Sequence, residues 1–150
     1  MRVIRELLYF RPEDTSTDLD AALAFLNRVI SRKSIVFLVS DFYSPKYLKS
    51  LRIANRKHDM VPVVVTDPRE VEMPDVGFIE LEDAESGEEI LIDTGSADFR
   101  KMFFELGSAD RRERDMVFKQ LGIDAVEIHT HEDYVDPLVR FFRKRASMIR

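Results

Sequence analysis

The chain has 150 residues, 45% of them hydrophobic and 34% charged, with a net charge of −5 and no cysteine. That is the size and composition of one ordinary soluble domain. It excludes a disulfide framework or thiolate metal site and, for want of a basic field, general nucleic-acid binding.

Val3 to Phe10 reads as a short helix that Pro12-Glu13-Asp14 ends. Leu19, Ala22, Leu23, Leu26, Val29 and Ile30 recur at helical spacing, which predicts an amphipathic helix over 18–31. Ser16 and Thr17 stand where its N-cap belongs, and Asp18 and Asp20 suit the positive end of its dipole. Ser34 to Ser40, SIVFLVS, is an unbroken β-branched and aromatic run, the pattern of a strand covered on both faces. A helix is predicted from Pro45 to about Lys57. Met60 to Thr66, MVPVVVT, reads as a second buried strand, with Pro62 marking an end near a sheet edge.

Gly77 to Asp93 reads as a hairpin, two apolar stretches around a glycine-bearing acidic turn. Ser96 to Gln120 is helical, with a break or kink expected at Gly107-Ser108. A third strand is predicted over 125–130 and a final helix from Tyr134 to Phe142, capped by Asp133 with Pro137 in its first turn. Strand and helix alternate three times. The expected fold class is α/β, a three-layer α/β/α arrangement with a mainly parallel sheet and a β-hairpin. No apolar run approaches the roughly 18 residues of a membrane helix. Glu6 stands where a signal peptide needs its apolar centre, so a cytoplasmic location is expected.

Open α/β sheets place ligands beyond the C-terminal ends of their strands. Asp41 follows the first strand and Asp67 the second. A carboxylate at Asp41 can hold a hard cation such as Mg²⁺, with Ser40 and Thr17 adding hydroxyl oxygens. Capping, the usual role of Ser, Thr and Asp at such positions, explains the same residue types better than metal binding does. Glu127, His129 and His131 alternate onto one strand face, a zinc-compatible trio that lacks a fourth ligand. His58, after Arg56 and Lys57, suits a helix C-terminus as a cation. The basic clusters at 111–114 and 140–145 read as solvated helix faces. There is no phosphate loop, no dinucleotide fingerprint and no nucleophile elbow.

Several segments carry a resemblance in fixed order. They are Thr17-Asp18-Leu19 with Ala22-Leu23 and Leu26-Asn27-Arg28, and the strand ending Ser40-Asp41-Phe42. His58-Asp59, Thr66-Asp67-Pro68-Arg69-Glu70, Met73-Pro74-Asp75-Val76-Gly77 and Leu81-Glu82-Asp83 follow. Pro137-Leu138, Phe141-Phe142 and Arg145 close the series. Together they resemble the C-terminal part of the family called domain of unknown function 58, over nearly the whole chain. The resemblance implies a von Willebrand factor type A-like domain with a metal-ion-dependent adhesion site, in which Thr17 and Asp41 would be metal ligands. The Asp-x-Ser-x-Ser loop of such a site is absent from this sequence. A single domain over 1–150, truncated at its N-terminus and holding half a site, is therefore the expectation.

The resemblance further implies a non-catalytic, protein-binding adaptor acting with a MoxR-type AAA+ ATPase, with Mg²⁺ bound weakly at the incomplete site. It implies that the strand beside SIVFLVS is missing, so homo-oligomerisation through an open sheet edge is expected. No nucleic acid and no membrane segment enter this reading. The rival is a Mg²⁺-dependent phosphoryl-transfer or hydrolytic enzyme using Asp41; a structural piece of a larger assembly is a third.

Overall fold

The computed structural model describes residues 2–10, 16–44, 46–83 and 87–148. Pro12-Glu13-Asp14, Pro45 and the middle of the hairpin turn, 84–86, lie outside the described residues. The elements run α1 (Arg2–Tyr9), α2 (Leu19–Val29), β1 (Ile35–Ser40), α3 (Leu48–Lys57) and β2 (Asp59–Thr66). A 3-10 turn follows at Pro68–Glu70, then β3 (Phe78–Glu82), β4 (Glu89–Asp93), α4 (Ala97–Leu121), β5 (Val126–His129) and α5 (Val135–Met148).

The main sheet has the order β1-β2-β5, with both pairings parallel, and β3 and β4 form a separate antiparallel pair. The fold is mixed α/β, as the alternation of strands and helices implies. Two apolar clusters lie on the two faces of the sheet. On one face Met60 and Val64 of β2 pack with Leu23 of α2, Leu51 and Ala54 of α3 and Phe118 of α4. On the other, Val61, Val63 and Val126 meet Phe141 of α5. Alternation along β2 sorts these side chains, since successive residues of a strand point to opposite faces. Burying a leucine as fully as Leu23 or Leu51 contributes about 1.5–3 kcal/mol.

Pro62 pairs with Leu38 of β1, while pairing with β5 starts only at Val63. The end of β2 that carries the proline therefore has one strand neighbour, and the missing N–H costs little there. At the same end, both terminal nitrogens of Arg145 donate to Asp59, at 3.0 and 2.6 Å, with the guanidinium over the Phe141 ring. This residue of the basic cluster is thus not a solvated one; it fastens α5 to the start of β2.

Three local expectations are corrected. The N-cap of α2 is Asp18, whose Oδ1 accepts from the Ala21 N–H at 2.8 Å, and not Ser16 or Thr17. The helix after β1 begins at Leu48, because Lys46 has φ 69°, a left-handed conformation that helical residues do not adopt. Finally, α4 runs unbroken through Gly107. A Cβ there would stand 3.2 Å from the Glu70 carbonyl oxygen and 3.6 Å from Val71 Cα. The glycine is a point of close approach between helix and turn. The helix stops where it should, at Gly122 (φ 64°), whose N–H reaches back to the carbonyls of Phe118 and Lys119.

The β1 strand departs most from expectation. Its side chains alternate: Val36 and Leu38 pack on the core, while Ile35, Phe37 and Val39 are 61%, 50% and 63% exposed. Among the described residues only β2 pairs with it. It is an edge strand with one apolar face largely bare, touched by Phe142 of α5 at a ring separation of 6.1 Å. Among the described residues no helix is long and apolar enough to cross a membrane.

Candidate functional site

The parallel pairing brings the C-terminal ends of β1, β2 and β5 to one rim of the sheet. Ser40 and Asp41 leave β1 there. Ser40 Oγ accepts from the Phe42 N–H at 3.0 Å, and Asp41 Oδ1 accepts from the Tyr43 N–H at 3.2 Å and from Ser40 Oγ at 3.3 Å. These are the short-range turns that Asp and Ser form with the backbone two residues on. Phe42 sits at φ 67°, which costs a non-glycine residue about 1–2 kcal/mol. The strain is held because its ring is buried, edge-on to Phe118 at 5.2 Å and tilted to Tyr47 at 5.7 Å.

The loop then meets the start of α2. Ser44 Oγ donates to the Thr17 carbonyl at 3.2 Å and accepts from the Leu19 N–H at 3.5 Å. Thr17 and Asp41, 24 positions apart in the chain, thus lie on neighbouring segments of one rim. Ser44 makes that link, and no short motif announces it.

Asp67, at the end of β2, is engaged on both oxygens. Oδ1 accepts from the Arg69 N–H at 2.8 Å and Oδ2 from the Thr130 hydroxyl at 2.9 Å, while its own N–H donates to Glu70. The Arg69 N–H first, then the Thr130 hydroxyl, hold its carboxyl below the usual carboxylate range. Asp67 therefore caps the 3-10 turn and ties the end of β2 to the end of β5. Thr130 was not distinguishable in the sequence, since its partner lies 63 residues away.

The trio on β5 does not assemble. Glu127 accepts from Arg114 of α4 at 3.0 Å, and His129 and His131 stand with ring centroids 5.9 Å apart. Among the described residues no three His, Asp or Glu side chains are grouped to hold a metal ion. Arg114 itself is only 8% exposed and also binds Asp115 at 2.8 Å; the arginine that reads as solvated is buried. His58 is 3% exposed, and among the described residues neither ring nitrogen has a hydrogen-bond partner; Arg56 and Lys57 are the basic residues of the last turn of α3.

A cleft of about 310 Å³ opens beside the Asp41 loop, lined by Tyr43, Ser44, Lys46, Tyr47, Asp110 and Arg114 among others. Burial pushes the Tyr47 hydroxyl above its ordinary value, with Arg114 pulling the other way. Tyr43 is raised by burial first and then by Glu70, with Asp110 and Asp41 adding to it against Arg111.

The donor set does not complete a divalent-cation site. The Asp41 carboxylate with the Ser40 and Thr17 hydroxyls would supply at most four oxygens where a hard cation takes about six or more.

A family model described as "Protein of unknown function DUF58" matches residues 1–114. Uncharacterized protein Rv1480 of Mycobacterium tuberculosis is 32% identical over 137 residues, which is 89% of this chain and 42% of that protein. Uncharacterized protein Mb1516 of Mycobacterium bovis matches to the same extent. Uncharacterized protein MAV169 of Mycobacterium avium is 31% identical over 137 residues, 79% of its length. The chain thus spans less than half the length of the first two relatives. No solved structure matches it.

Proposed function

This chain belongs to the DUF58 family, and on that footing we propose that it is a non-catalytic adaptor domain that binds a protein partner through the C-terminal rim of its sheet. The partner in this reading is a MoxR-type AAA+ ATPase. The reading takes the fold as von Willebrand type A-like and the rim as an incomplete adhesion site, with Thr17 and Asp41 as its remaining ligands.

One observation carries the proposal. The loop after β1, strained at Phe42, is hydrogen-bonded through Ser44 to the segment bearing Thr17. Strained backbone held in place by packing is a feature of ligand-binding loops. The rim thereby presents a carboxylate, hydroxyls and the exposed Tyr43 on one fixed surface, a composition suited to recognition.

Two measurements test it. Surface plasmon resonance with a purified MoxR-type AAA+ ATPase is expected to show binding that Asp41→Ala weakens by about tenfold or more, 1.4 kcal/mol. Calorimetry of Mg²⁺ against the isolated chain is expected to show no tight binding. Tight stoichiometric uptake that Asp41→Ala abolishes would overturn the incomplete site. ATPase binding indifferent to Asp41→Ala, or no binding at all, would overturn the rim as the contact.

A further inference from the structure

Charge is divided unevenly along this chain. Residues 67–110 carry fourteen Asp and Glu against three Lys and Arg, whereas the rest of the chain carries fourteen against twenty. The acidic stretch is one structural unit: the 3-10 turn, the β3–β4 hairpin and the first half of α4. Arg100 binds it together, donating to the Thr94 carbonyl and pairing with Asp75 at 3.2 Å. Gly107 seats the helix on the turn.

Within this acidic unit lies an apolar cleft of about 620 Å³, walled by Met73, Val76, Ile79, Leu81 and Phe103, with Asp67, Arg69 and Glu70 at its margin. Pairing places Ile79 opposite Ile92 and Leu81 opposite Ile90. All four therefore share one face of the hairpin, and Glu80 and Glu82 take the other. The apolar face is incompletely covered: Leu81 is 38% exposed and Ile90 60%. An isolated two-stranded hairpin is marginal in water without a covered face.

We infer that this cleft is a docking site for a basic amphipathic helix of a partner protein. The apolar walls fit the apolar stripe of such a helix. Asp67 and Glu70 at the cleft margin, with the net negative charge of the unit behind them, attract its lysines and arginines over a Debye length of about 8 Å at physiological salt. The same field repels nucleic acid and anionic lipid surfaces. The cleft borders the C-terminal rim at Asp67, but no residue of the Asp41 loop lines it, and the inference does not depend on the role of Asp41.

The test uses fluorescence anisotropy with synthetic amphipathic peptides of roughly five helical turns, with leucines at helical spacing and either lysine or glutamate at the remaining positions. The lysine peptide is expected to bind, with an affinity that falls as salt rises, and the glutamate peptide to bind at least about tenfold more weakly. Leu81→Ser should weaken the lysine peptide at all salt concentrations. The combined Glu80→Lys, Glu82→Lys and Glu89→Lys variant, altered only at exposed positions on the hairpin face away from the cleft, lowers the negative field of the unit without touching the apolar walls and should reduce the salt dependence. Equal binding of the two peptides, no binding of either, or binding indifferent to both variants would overturn the assignment. Self-association of the chain that Leu81→Ser abolishes would place a second copy in the cleft and overturn it as well.

Discussion

Asp67 shows how a single carboxylate can be structural at a position that invites a functional reading. Its folded value lies below the ordinary one because the charged form accepts from Arg69 and Thr130. Such a group adds stability above its unfolded value of about 3.9 and loses it as pH falls through the lower folded value. Melting temperatures of the wild type and Asp67→Asn should therefore differ near neutrality and converge below about pH 4. A gap that persists at low pH would mean that the variant disturbs packing rather than charge. Asp41 and Asp67 were both legible in the sequence as residues just past apolar strands. Their different engagements were not, because the Thr130 hydroxyl that distinguishes them arrives from β5. Arg114 makes the same point: its ion-pair partner Glu127 belongs to a different element.

The elements themselves were legible because period decides them. The helical spacing in α2, the apolar run of β2 and the glycine-turned hairpin each produce the element their pattern implies. What failed was local chemistry with two meanings. Gly107 inside α4 reads as a breaker, yet backbone hydrogen bonding carries the helix through it, and the missing side chain admits the Glu70 carbonyl. In an open helix, glycine to alanine gains up to about 1 kcal/mol. Gly107→Ala is expected to gain less than that in urea denaturation, because its Cβ must displace the turn at 3.2 Å. Gly107→Val should destabilise outright. A full alanine gain, with valine tolerated, would show that helix and turn are not pressed together.

For the molecule as a whole, the uncovered side of β1 matters most. Its unbroken apolar run implied cover on both faces, since composition does not reveal which neighbours a strand has. The structure instead places Ile35, Phe37 and Val39 on an exposed face of an edge strand. Exposed apolar edges invite pairing with another chain. Light scattering over a range of concentrations is expected to show reversible association of the wild type, reduced by Val39→Lys. A monomer at all concentrations would sink this expectation. The edge has a further consequence. In a parallel strand alternate residues direct their backbone N–H groups to opposite sides. In the monomer, among the described residues, only the N–H groups facing β2 have strand partners. Hydrogen–deuterium exchange along 35–40 should therefore run slow and fast by turns, and dilution should sharpen that alternation as the uncovered amides return to solvent.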